Sequence, residues 1–146
     1  ILLQGESTLS GLIDEFTEDA RTCLFGTLTL WQGVDVPGDA LRLVTIDRIP
    51  FPRPDDPLAS ARSRYISQRG GNGFMAVSAN HAAVRLAQGA GRLIRSTSDR
   101  GVVAILDSRL ATAGYGGFLK ASMPEFWATR STEQALSSLK RLSAEI

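Results

Sequence analysis

Four short apolar runs, Ile1–Gln4, Thr22–Gly26, Leu41–Asp47 and Gly101–Asp107, alternate with stretches of helical periodicity, and this alternation restricts the fold most. Val44, Ile46, Val102, Val103 and Ile105 give the runs the β-branched content of buried strands. Strands alternating with helices predict an α/β fold, a parallel sheet with helices on both faces. The first helix is expected over Ser7–Asp19, with Leu9, Leu12, Ile13 and Phe16 at helical spacing and Ser7 as N-cap. Ile49–Pro57 contains Pro50, Pro52, Pro54 and Pro57, so it must be an extended loop. Asp55 and Asp56 lead into a helix through Arg69, which Gly70-Gly71-Asn72-Gly73 ends. A long helix then runs from Asn80 to Arg95, and a short one is expected over Tyr115–Met123. Thr132–Ile146 reads as an amphipathic helix with Ala135, Leu136, Leu139 and Leu142 on one side. The expected organisation is one domain over residues 1–125, with 126–146 packing on it or extending it.

Sixteen basic and fifteen acidic residues leave a net charge of +1, so any nucleic-acid surface must be a local patch. No apolar run approaches the roughly 18 residues of a membrane span. The chain opens on Ile1-Leu2-Leu3-Gln4 with neither a basic n-region nor a Met, and reads as an excised domain. Its single cysteine, Cys23, rules out an internal disulfide and a multi-cysteine metal cage within these residues. Lying in Thr22-Cys23-Leu24-Phe25, it is expected to pack in the core, and it points weakly to a cytoplasmic location.

Placed at about 100° per residue, His81, Arg85, Gln88, Arg92 and Arg95 share one face of the long helix. Ala83, Leu86, Ala90, Leu93 and Ile94 lie opposite and should face the sheet. Gly89 and Gly91 each cost about 1 kcal/mol relative to alanine, which suggests that something approaches the backbone closely. Arginine stays charged and offers forked donors to phosphate oxygens. Periodicity alone, however, favours a solvated basic face.

Two further stretches change that balance. Gln88-Gly89-Ala90-Gly91-Arg92-Leu93-Ile94-Arg95 resembles motif VI of superfamily 2 helicases, Q-x-x-G-R-x-x-R, and leads into Asp99-Arg100-Gly101 and a strand ending at Asp107. Gly26-Thr27-Leu28-Thr29-Leu30-Trp31-Gln32-Gly33-Val34-Asp35-Val36-Pro37-Gly38 is similar to motif V of the DinG/XPD-like branch, and the Ile49-Pro50-Phe51-Pro52 loop follows in that family's order. The resemblance extends from about Leu3 to Pro124 and implies a RecA-like fold, the second motor domain of an ATP-dependent DNA helicase.

By that resemblance, Arg92 and Arg95 would reach ATP held with Mg2+ by a first motor domain of the same protein. Arg95 would act as the finger on the γ-phosphate, Arg92 would assist, and Gln88 would sense the phosphate. Gly33 and Asp35 would lie near the nucleotide. Thr27 and nearby backbone N–H groups would hold a phosphate of single-stranded DNA. Trp31 is read as a base-stacking platform or as packing, and Trp127 as packing. Arg62, Arg64 and Arg69 would line a DNA path or form a solvated face near Asp55 and Asp56. His81 lacks a second metal ligand nearby in sequence. Gln32 stands where relatives commonly carry an acid, and Ala87 where many carry a lysine, so roles tied to those side chains do not transfer.

No G-x-x-x-x-G-K-[ST] phosphate loop and no D-E-x-H motif occurs in these residues. The cysteines that hold an iron–sulfur cluster in many relatives would belong to the first motor domain. The fragment alone is therefore expected to neither hydrolyse ATP nor unwind DNA. The alternative is a non-catalytic helicase-like module for protein or DNA binding, which a phosphate loop upstream of Ile1 would argue against. No membrane partner is expected.

Overall fold

The structure is a computed structural model that describes residues 1–34, 36, 40–94 and 99–144. All four expected strands form, each shorter than its apolar run: β1 Leu2–Leu3, β2 Leu24–Phe25, β3 Leu43–Ile46 and β4 Val102–Ile105. β1 and β2 pair in parallel, Leu2 opposite Leu24 and Leu3 opposite Phe25. β3 and β4 form a second pair. Val102 N–H donates to the Arg42 carbonyl at 2.8 Å and Leu106 N–H to Ile46 at 2.9 Å; both strands advance together, so this pair is parallel as well. The expectation of one sheet is thus met as two parallel pairs among the described residues.

Two compact units are present. The first comprises Ile1–Val44, Gly91–Val103 and Ala128–Ile146; the second comprises Thr45–Ala90 and Ala104–Trp127. In the first, Leu2, Leu12, Leu30, Val36 and Leu93 are buried. Helix α1 spans Leu9–Glu18, and its N-cap is Thr8, not Ser7: the Thr8 hydroxyl accepts from Gly11 N–H at 3.3 Å. A short helix, α2, covers Leu30–Gly33. The C-terminal helix, labelled α7, runs over Thr132–Ala144 with none of its residues fully buried, and residues 145 and 146 lie outside the described ones. Arg42 ties down its last turn, its Nη1 donating to the Leu142 carbonyl at 2.7 Å, where helical carbonyls lack partners.

Cys23 departs from expectation: it is exposed, immediately before β2. The Thr22–Phe25 run reads as buried by hydropathy, but the strand within it is two residues long and Phe25 is also exposed. Trp127, expected to pack, is 74% exposed. It lies between α6 and α7, in a segment without regular structure that gives its ring no helix face to cover.

The second unit carries α3 Pro57–Gln68, a π-helical turn Phe74–Ala79, α4 Asn80–Gly91, α5 Arg109–Thr112 and α6 Gly116–Ala121. Asp56 caps α3 by accepting from Ala59 N–H at 2.8 Å, with Pro57 in the first turn, where its missing N–H costs nothing. Gly70, at φ +83°, closes it; Gly70 N–H donates to Ser67 and Gly71 N–H to Ile66, both at 3.1 Å. Helical structure before α4 begins at Phe74, earlier than expected, because Gly73 is accepted at its N-cap. α4 buries Ala82, Ala83, Leu86, Gly89 and Ala90. Ser122 Oγ donates to the Ala83 carbonyl at 3.3 Å, bringing the end of α6 against α4.

Gly73 marks the closest approach in this unit. A Cβ there would stand 2.1 Å from the Ser63 carbonyl oxygen on α3, a contact that only backbone movement could relieve. Gly73→Ala should lower stability by about 1–3 kcal/mol and speed amide exchange across Leu58–Ala79. Unchanged exchange would contradict this packing of α3 on the π-helical turn.

Candidate functional site

In the first unit, the Gly26–Gly33 stretch turns from β2 into α2 around one side chain that sequence reasoning missed. Gln4 Oε1 accepts from Thr27 N–H at 2.8 Å and from the Thr27 hydroxyl at 3.1 Å, while Gln4 Nε2 donates to Thr29 Oγ1 at 2.9 Å. Thr27 and Thr29 hydroxyls lie 2.9 Å apart. A Cβ on Gly26 would sit 2.8 Å from Gln4 Oε1 and 2.7 Å from Leu30 Cδ2, so this clasp requires the glycine. Gly33 is exposed and passes close to Leu9, whose Cδ2 a Cβ would meet at 2.3 Å. Trp31 is half-buried. Asp35 lies outside the described residues, as does the Gln32 side chain.

α4 presents its face as expected, up to a point. Ala83, Leu86 and Ala90 are buried, Gln88 and His81 are exposed, and Arg85 is half-buried. The helix was expected to reach Arg95, but it ends at Gly91. Two low-propensity glycines near its end account for that early stop. Arg92 therefore sits in the turn beyond the helix, half-buried, with no carboxylate paired to it among the described residues. Arg95 lies outside the described residues. Nothing in the described chain occupies the position a Cβ on Gly91 would take, so no packing neighbour explains that glycine. His81 is held below its ordinary pKa by partial burial and by Arg85, against the opposing pull of Asp56. No group of three metal-ligating side chains occurs among the described residues.

A second feature missed from sequence is the carboxylate clasp at the end of β4. Asp107 Oδ2 accepts from Ile49 N–H at 3.0 Å and from Arg109 Nη2 at 2.6 Å, and Oδ1 accepts from Arg109 N–H at 3.1 Å and Nε at 2.9 Å. The Asp107 side chain keeps 7% of its exposure. The Arg109 guanidinium, helped by the Ile49 and Arg109 N–H groups, holds its carboxyl far below the ordinary range despite burial. The same guanidinium lies 5.5 Å above the Phe51 ring. Phe51, Phe74 and Tyr115 form a mutual cluster with centroids 5.2 to 5.6 Å apart. A bidentate Asp–Arg pair separated by one residue was readable in Asp107-Ser108-Arg109, but its reach to Ile49 was not.

Comparison with known proteins gives these elements a context. Residues 1–126 match the model of the helicase C-terminal domain. The chain belongs to that family. Its fold is the α/β, RecA-like one, and its resemblance to the DinG group is direct. It is 64% identical over 98% of its length to the ATP-dependent helicase DinG of Mycobacterium tuberculosis. It is 44% identical over 95% of its length to the ATP-dependent DNA helicase YoaA of Escherichia coli. The 3′-5′ exonuclease DinG of Bacillus subtilis is 39% identical over 87% of the chain. The chain spans 22% of the first two relatives and 14% of the third. Among the described residues, no helix is long and apolar enough to cross a membrane.

Asp107 makes a pH-dependent contribution to this helicase C-terminal domain. Its folded-state pKa is depressed, so its stabilisation is complete above about pH 4 and disappears as pH falls through the depressed value. Asp107→Asn should cost about 1–2 kcal/mol near neutral pH, discounted because Arg109 is half-exposed. In acid the wild-type and variant unfolding curves should converge; a gap that stays constant down to strongly acid pH would refute the clasp.

Proposed function

We propose that this chain is the second motor domain of an ATP-dependent DNA helicase and completes an ATP site built on another domain of the same protein. What supports the reading is an exposed Gln88 on a helix anchored through its opposite face, in a family member whose next residues supply Arg92 and Arg95. In hydrolysis, water attacks the γ-phosphorus and the bond to the bridging β-γ oxygen breaks, releasing ADP and phosphate. Charge spreads over the γ-phosphoryl oxygens, and a fixed guanidinium there can contribute about 10³–10⁵ in rate.

Arg95 takes the finger role in this proposal and Arg92 the assisting one, with Gln88 orienting on the γ-phosphate. Gly33 and Asp35 belong to the nucleotide-facing part of the Gly26–Gly38 stretch. Gln88 and Arg92 fit an anionic ligand, being accessible or partly so and unpaired with a carboxylate among the described residues. Mg2+ would be held with ATP chiefly by the first motor domain, where it would neutralise phosphate charge. An iron–sulfur cluster would likewise belong outside this chain, whose one cysteine cannot hold one. Single-stranded DNA would meet Thr27 and Trp31 in the first unit and Arg62 and Arg64 in the second. A phosphate at Thr27 would take over donors that now serve Gln4.

Arg95→Ala in the full-length protein should abolish ATP turnover and leave ATP binding within about threefold of wild type. Near-normal turnover would refute the finger assignment. The isolated chain, which lacks a phosphate loop, should show no ATPase activity with or without DNA; measurable turnover would sink the two-domain reading.

A further inference from the structure

From Pro57 to Ala90 the second unit contains four arginines, Arg62, Arg64, Arg69 and Arg85, and no aspartate or glutamate. In a chain of net charge +1 this is a strong local imbalance. The acids just before it are committed elsewhere. Asp55 is bound by Arg53 at 2.8 Å, and Asp56 caps α3 through Ala59 N–H. Arg62 and Arg64 are exposed and have no carboxylate partner among the described residues. The solvated, acid-paired face that was an alternative for this helix therefore does not form.

Two exposed rings are interleaved with these charges. Tyr65, 53% exposed, follows Arg64 on α3 and carries the Arg69 guanidinium 4.0 Å above its ring. Phe74, 41% exposed, opens the π-helical turn that Gly73 seats against Ser63, and Phe51 and Tyr115 brace its ring. Between α3 and that turn lies a hollow of about 310 Å³ lined by Ser60, Ser63, Arg64, Ser67 and Ser78, with Pro52 and Pro54 at its edge. Hydroxyls and a guanidinium around a small open hollow suit a phosphodiester group, and nearby rings suit unstacked bases.

We propose that α3 and the π-helical turn form a contact track for single-stranded nucleic acid, with phosphates on Arg62, Arg64 and the serine hollow and bases stacked on Tyr65 and Phe74. The track rests on the helicase reading only for the polymer being DNA. Stacking distinguishes a single strand from a duplex, whose bases are already stacked on one another and present no free faces.

The test is fluorescence anisotropy on the full-length protein with three probes: an oligothymidylate, an abasic phosphodiester strand of equal length, and a blunt duplex. Arg62→Gln with Arg64→Gln should weaken binding to both single strands about tenfold and lower the slope of log affinity against log salt by about 1.4. Tyr65→Leu or Phe74→Leu should each weaken oligothymidylate binding about tenfold and leave the abasic strand within about twofold. Tyr65 is exposed enough to change without unfolding the domain, so it decides the matter if the Phe74 variant is unstable. Unchanged salt slopes, equal losses on thymidylate and abasic strands, or wild-type preference for duplex would each overturn the track. ATP turnover separates the two proposals. A wild type that binds strands through these residues without any stimulation of turnover supports the track and overturns the helicase reading. Stimulated turnover with unaltered binding in the variants does the reverse.

Discussion

The second unit depends on one buried carboxylate. Asp107 accepts from the backbone of Ile49 and from both backbone and guanidinium of Arg109. Pro50, Pro52 and Pro54 cannot donate ladder hydrogen bonds, so Ile49 N–H is the place at which the loop can be pinned as it leaves β3. Once pinned, the loop sets Phe51 under Arg109 and against Phe74 and Tyr115. An unpaired carboxylate in this position would be expensive, because it is almost completely removed from water. The bidentate arginine is what makes its burial tolerable.

Much of this was legible from residue order. β-branched runs located all four strands, the proline cluster fixed the loop, and Asp56-Pro57 and Gly70 bracketed α3 as capping chemistry requires. The apolar half of α4 was equally readable, since spacing alone selects Ala83, Leu86 and Ala90 for burial. The limits were tertiary. Periodicity carried the helix through Gly89 and Gly91 to Arg95, whereas two glycines in three positions are enough to end it at Gly91. Cys23 and Trp127 were assigned to the core from hydropathy, which does not report whether a neighbouring element exists to cover a side chain.

Gln4 illustrates the same limit from the polar side. Nothing about a glutamine in an opening strand announces a partner more than twenty residues on, yet its amide organises the Thr27–Thr29 turn through donors and acceptor alike. The parallel pairing of β1 with β2 creates that meeting, placing the residue after Leu3 beside the residues after Phe25. The glycine at position 26 then becomes necessary, because any side chain would displace the amide.

The acid-free stretch from Pro57 to Ala90 was visible in the sequence all along, and whole-chain charge concealed it. A near-neutral total averages a basic segment with acidic ones such as Ser7–Asp19, which contains Asp14, Glu15, Glu18 and Asp19. Electrostatic attraction to a polyanion falls off over roughly 8 Å at physiological ionic strength, so the local arrangement decides binding and the total does not. Like charges crowded on one helix also repel, by a few tenths of a kcal/mol per neighbouring pair. A helix that keeps Arg62, Arg64 and Arg69 without compensating acids bears that cost in the free protein and sheds it when phosphates arrive. The strain of the unliganded surface thereby becomes part of the driving force for occupying it.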